Sequence, residues 1–263
     1  MDTGLKGKRA LVTGGGSGIG RAIALALARE GVHLAIASRD PDSKTIEEIR
    51  ALGNRVLPLR ADVSREDQVV AMVQQAIEGL GGLDLYVNNA AWAWHEPATK
   101  LTTENWLKTI HTNLSSCVWA CREIAKYMIA QGKGSILIVG STAMWTPSSK
   151  ETSYRVSKTG LKAYMEVLAV ELAPFGIRVN MLTPGLFPTR LTANLDESSG
   201  QIMRSQIPLR RVGRTEELGA AAVLLLSDSL SSYTTGSELV VDGGLKLRPI
   251  PLFTDDELRE MNL

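Results

Sequence analysis

"TGGGSGIG", residues 13–20, stands between an aliphatic run that ends at Thr13 and an amphipathic stretch that begins near Gly18. Glycines at such a strand-to-helix junction let the backbone turn tightly and come close to a ligand. The helix behind them offers free N–H groups and the positive end of its dipole, which suits the pyrophosphate of a dinucleotide. Gly14, Gly16, Ser17, Gly18, Ile19 and Gly20 are therefore the candidate phosphate cradle. The literal G-x-G-x-x-G spacing is not met, because Ile19 takes its last glycine position. A nucleotide-hydrolysing loop fits less well. Gly15 to Gly20 matches G-x-x-x-x-G, but Arg21-Ala22 follow where Lys and Ser/Thr are required.

Outward from this turn, short aliphatic runs alternate with amphipathic helical segments, the pattern of a parallel sheet covered on both faces. The runs predict seven strands, at 9–13, 33–38, 56–62, 83–90, 135–141, 177–184 and 237–242. The fold class is α/β, a single doubly wound domain over residues 1–263. Gly31, Gly53 and Gly81-Gly82 suit left-handed helix ends, Ser64 with Asp67 an N-cap, and Asp40 or Asp42 the start of the second helix. Residues 186–209 form a long connection read as a lid, and 245–263 a tail. In the tail Thr254 and Glu257 have capping-box spacing.

Composition narrows the function. Twenty-nine Lys and Arg against 28 Asp and Glu leave a net charge of +1, which gives no field for nucleic acid or an anionic membrane. The expected partner is a small molecule. Cys117 and Cys121 offer neither a disulfide framework nor metal-ligand spacing, and no metal is expected. With no long apolar run, the expected compartment is the cytoplasm.

"YRVSK", residues 154–158, puts a phenol and an ammonium one helical turn apart. Tyrosine, with an ordinary pKa of about 10, is a weak base near neutrality. A lysine at i+4 lies on the same face and favours the phenolate, so Tyr154 becomes usable as an acid or base beside Lys158. Gly14, Gly18 and Gly20 match the T-G-x-x-x-G-x-G motif of the short-chain dehydrogenase/reductase family. In order follow "NNA" at 88–90, Asn113, Ser141, "YRVSK", "PG" at 184–185 and "TGSELVVDGG" at 235–244. The chain resembles that family over about residues 5–244.

The resemblance implies a Rossmann fold and an NAD(P)-dependent oxidoreductase that interconverts a secondary alcohol and a ketone. It implies that Ser141 bonds the substrate oxygen, Tyr154 transfers the proton, Lys158 also binds the nicotinamide ribose, and Asn113 holds a water in a proton relay. It places Ser38 where an acid would select NAD, with Arg39 next. A hydroxyl and a guanidinium suit the 2′-phosphate, so NADP(H) is preferred, with NAD(H) kept as the alternative through Asp40. Asp62 and Val63 are expected at the adenine, Asn89 and Ala90 behind the ribose, and Pro184, Gly185 and Thr189 at the nicotinamide amide. Ala91 departs from the usual glycine of N-N-A-G and puts the local loop shape in question.

By the same analogy Trp92, Trp94, His95, Met144, Trp145 and Leu186 line the substrate pocket. Flat apolar faces mixed with hydrogen-bonding groups suit a sugar, polyol or cyclic ketone. One alternative is a 3-oxoacyl-thioester reductase acting on acyl-carrier protein. In such enzymes basic residues near the ends of the fourth and fifth helices dock the carrier, and Gly132 and Phe175 stand there instead. Another is a non-catalytic nucleotide sensor on the same fold. The resemblance further implies a homotetramer.

Overall fold

The computed structural model describes residues 2–189 and 204–247. Seven parallel strands form one sheet in the order β3-β2-β1-β4-β5-β6-β7. They are β1 (Arg9–Thr13), β2 (His33–Ser38), β3 (Val56–Arg60), β4 (Leu85–Asn88), β5 (Gly134–Val139), β6 (Ile177–Pro184) and β7 (Glu238–Val241). Between them run α1 (Gly18–Arg29), α2 (Ser43–Ala51), α3 (Glu66–Leu80), α4 (Thr103–Ile110), α5 (Ser116–Gln131) and α6 (Thr152–Leu172), with α7 (Thr215–Leu226) and α8 (Asp228–Ser231) before β7.

Strand residues alternate between two cores. In β1, Leu11 joins the cluster under α3, α5 and α6, while Ala10 and Val12 join the cluster under α1 and α7. Burial on both faces is why these strands read as unbroken aliphatic runs rather than as alternating ones. The strand order reverses between β1 and β4, and the crevice beyond the carboxyl ends of the strands at such a reversal is where ligands bind in open α/β sheets.

The expected bounds hold for β1, β2 and β6 but overreach elsewhere, and the reason is local. At Asn89 and Ala90 the backbone N–H groups leave the ladder and donate to Thr13 Oγ1, at 3.0 and 3.1 Å. Asp62 N donates to Gln68 Oε1 instead of a strand. Ser141 caps a single 3₁₀ turn, its Oγ accepting from Ala143 N. The strand tips thus turn outward into loops that line the crevice.

Ser64 does not cap α3, contrary to expectation. Its hydroxyl donates to Asp62 Oδ1 at 2.8 Å, and the helix starts at Glu66 without a side-chain cap. Asp42 does cap α2, accepting from Thr45 N at 2.9 Å. Gly31, Gly53 and Gly81 all adopt left-handed angles after their helices. Of the expected lid only residues 186–189 and 204–209 are described, and of the tail only 245–247; Thr254 and Glu257 lie outside the described residues.

Candidate active site

One cavity of about 890 Å³ opens along the carboxyl ends of the strands. Gly14, Gly16, Ser17, Gly18 and Ile19 form its floor at the first turn. The first N–H groups of α1 have no partner within the helix and stand at this floor. Gly14 and Gly18 hold φ of +67° and +52°, angles that side chains other than glycine rarely adopt. Gly20, by contrast, is structural rather than lining. A Cβ there would stand 2.3 Å from Gly14 O and 2.4 Å from Asn89 Nδ2.

Ser38, Arg39, Asp62 and Val63 line the far end. The Ser38 hydroxyl oxygen is buried and has no hydrogen-bond partner among the described residues. A buried hydroxyl without a partner is costly unless a ligand satisfies it. Arg39 is exposed beside it. Burial disfavours the Asp62 carboxylate, but the bonds from Ser64 and the charges of Arg39 and Arg65 outweigh it and hold the group below the usual carboxylate range. A polyphosphate dinucleotide with its adenosine at this end fits the free amides, the orphan hydroxyl and the guanidinium. Asn89, Ala90, Pro184, Gly185 and Thr189 continue the wall toward the other end. Thr13, which the sequence reading did not single out, joins β4 to the glycine turn through its hydroxyl, and only the fold reveals that contact.

At the other end α6 presents Tyr154 and Lys158 to the same cavity, which Ser141 also lines. Burial holds the Tyr154 pKa above its ordinary value; the nearby Ser141 hydroxyl works against that rise and the Glu151 charge adds to it. The Lys158 ammonium is 5.8 Å from the Tyr154 ring centroid and donates to Val139 O at 2.9 Å. Burial lowers its pKa from 10.5 to about 8. Lys158 is 3% exposed.

Asn113 sits in a π-helical turn, His111–Ser115, that joins α4 to α5. Such turns are frequent at functional sites. It is fully buried and does not line the cavity. Its Oδ1 accepts from Trp92 N at 2.8 Å, and its Nδ2 donates to Trp92 O at 2.9 Å and to Ser157 Oγ at 3.0 Å. Ser157 in turn donates to Tyr154 O. The amide therefore ties the loop after β4 to the helix that carries the tyrosine. With both amide hydrogens engaged, any part in a proton relay falls to its backbone.

Of the residues expected at the substrate, Trp92, His95 and Leu186 line the cavity. Trp94, Met144 and Trp145 do not. Trp94 is 46% exposed and stacks on Trp92, Met144 is buried in the core, and Trp145 packs against the core with Lys246 over its ring. Thr146, within the expected segment 143–147, lines the wall as well, and the sequence reading passed over Lys108, Thr112, Ser148 and Glu151, which join it. Helical spacing of Lys108 and Thr112 was the available signal. Ala91 does not take a positive φ, so its methyl group fits the cavity wall without backbone strain.

The family model described as enoyl-(acyl carrier protein) reductase matches residues 14–246. Curated relatives include a 3-oxoacyl-[acyl-carrier-protein] reductase of Chlamydia pneumoniae, 35% identical over 93% of this chain and 99% of that protein. Glucose 1-dehydrogenase 2 of Bacillus subtilis (strain 168) is also 35% identical, over 94% of this chain and 98% of its own length. Among solved structures, a short-chain type dehydrogenase/reductase from Mycobacterium marinum superposes with a TM-score of 0.86 at 36% identity, covering 92% of this chain and 96% of that one. Another, from Agrobacterium tumefaciens and described as a 2-deoxy-D-gluconate 3-dehydrogenase with bound NADP, gives 0.88 at 30% identity, covering 94% and 99%. The chain belongs to the short-chain dehydrogenase/reductase family and is an oxidoreductase acting on CH–OH groups.

Proposed function

We propose that the protein interconverts a secondary alcohol and a ketone on a sugar- or polyol-like compound, with NADP(H) preferred over NAD(H). The observation that carries the reaction is that Ser141, Tyr154 and Lys158 all line the cavity that the glycine turn also lines. Gly14 to Ile19, Ser38 and Arg39, with Asn89, Pro184, Gly185 and Thr189, are the residues that would hold the nicotinamide dinucleotide. When bound, that group supplies the hydride acceptor or donor. Tyr154 Oη gives or takes the hydroxyl proton, Ser141 Oγ orients the substrate oxygen, and the Lys158 ammonium supplies the positive charge that opposes burial of the phenolate.

The preference for NADP rests on the orphan Ser38 hydroxyl beside Arg39, with the NADP-bound relative as support. The acyl-carrier-protein reading draws support from the Chlamydia relative. It lacks the cations its docking needs at positions 132 and 175, since Gly132 ends α5 and Phe175 is an exposed apolar side chain. We also propose a homotetramer and a cytoplasmic setting; no helix among the described residues is long and apolar enough to cross a membrane.

Tyr154→Phe tests the reading. Turnover of a sugar, polyol and cyclic-ketone panel, followed by reduced-nicotinamide absorbance, should fall about 10²–10⁴-fold while cofactor affinity changes little. Undiminished turnover in the variant would remove Tyr154 from its role. A wild-type protein that binds the cofactor and turns over nothing would favour the sensor.

A further inference from the structure

The substrate end of the cavity carries a charge that the proton transfer at Tyr154 does not use. Lys108 reaches the cavity from α4, and Thr112 lines it one turn further along. The Lys108 ammonium lies over the Trp92 ring, 4.3 Å from its centroid. Trp92 in turn stacks on Trp94, with centroids 5.7 Å apart and an interplanar angle of 10°. The tryptophans expected to offer flat faces to a ligand instead hold an ammonium at the cavity mouth.

That ammonium has no carboxylate partner among the described residues, whereas the acid of this end has a neighbour. Glu151 Oε1 stands 3.7 Å from His95 Nε2. A cation over an aromatic ring at an exposed site gains about 0.5–1 kcal/mol. This is enough to restrict a long side chain, but it leaves the ammonium's N–H donors free for an acceptor. A charge already held in position loses less entropy when a ligand arrives.

We infer that Lys108 is a specificity residue that binds a carboxylate on the substrate, so that the substrate class is hydroxy acids and keto acids of sugar size rather than neutral sugars. The inference rests on the oxidoreductase reading above and deepens it. One free ammonium matches a singly charged carboxylate, and the Thr112 hydroxyl can give that group a second hydrogen bond. A phosphate dianion calls for more donors, of the forked kind arginine offers. Among the described residues the only arginine lining the cavity is Arg39, at the dinucleotide end.

The test uses the enzyme loaded with NADPH and reads ligand affinity from the fluorescence of the reduced cofactor. Matched pairs differ only in the acid, such as D-gluconate against D-glucitol, with glucose 6-phosphate as the phosphate arm. The acid should bind at least tenfold more tightly than its neutral counterpart, and added salt should erode that ratio. Lys108→Gln should cut the ratio about tenfold, and Lys108→Arg should keep most of it. Equal affinity for acid and neutral ligand, a ratio unmoved in Lys108→Gln, or a preference for the phosphate ester overturns the inference. A protein that binds no reduced cofactor overturns the site reading and this inference with it; one that binds it and does not discriminate overturns this inference alone.

Discussion

Lys158 keeps a positive charge where the surroundings oppose one, and that conflict has a measurable sign. Its folded-state pKa of about 8 lies below the 10.5 of the exposed side chain. Between those values the folded protein binds fewer protons than the unfolded chain, so stability gained at this residue rises with pH through that window. At neutral pH the buried ammonium costs on the order of 3 kcal/mol. Lys158→Met carries no such charge. Denaturant unfolding of the cofactor-free proteins should show wild type gaining on this variant by about that amount between pH 7 and 10.5. A pH-independent difference would mean that the lysine is not desolvated. At the opposite end of the cavity, the contact proposed for Arg39 with a 2′-phosphate is charge-assisted, a kind worth about 1.5–3 kcal/mol that Arg39→Ala would remove. NADPH affinity, measured by fluorescence titration, should fall about 10- to 100-fold while NADH affinity holds; equal losses for both would place the 2′-phosphate elsewhere.

The glycine turn and the π turn show what elements contribute beyond single side chains. Asn89 reaches from the end of β4 to bond Thr13 O at 2.9 Å, and Gly20 passes against the same amide. Gly20→Ala would push a methyl group into that contact, at a cost of about 1–3 kcal/mol. The expected outcome is a lower unfolding midpoint together with weaker dinucleotide binding, because the turn and the strand tip move as one. The Trp92 to Asn113 to Ser157 chain couples α6 to the loop after β4 in the same way. "HTNLSS" reads as ordinary helix, and nothing in its spacing announces a π turn. That turn depends on where the buried amide of Asn113 finds its partners, 21 and 44 residues away in the chain.

On the scale of the whole molecule, α6 presents an exposed apolar stripe opposite the face that carries Tyr154 and Lys158. Val156, Ala163, Val167 and Val170 recur at helical spacing, and Val170 is 77% exposed. The proposed homotetramer would cover such a stripe. Val167→Glu with Val170→Glu should shift sedimentation from a four-chain species toward smaller ones. An unchanged distribution would exclude α6 from the interface.

The parallel sheet, the position of the dinucleotide turn and the Tyr154–Lys158 pair were all legible in the chain. Each depends on local rules: aliphatic runs for strands buried on both faces, glycine at a strand-to-helix junction, and i to i+4 geometry on one helix. The strand tips were not, since 89–90 and 141 look aliphatic or neutral until the Thr13 hydroxyl accepts from Asn89 and Ala90 N–H and the Ser141 hydroxyl accepts from Ala143 N–H. Nor was the substrate wall. Three tryptophans, two of them neighbours at 92 and 94 and the third at 145, were expected there, yet stacking and core packing withdrew Trp94 and Trp145 from the cavity, while Lys108 on a different element came to line it. The reaction class follows from residues whose spacing sets their contacts, whereas the side chains that line the rest of the cavity are chosen by long-range packing, which no local pattern encodes.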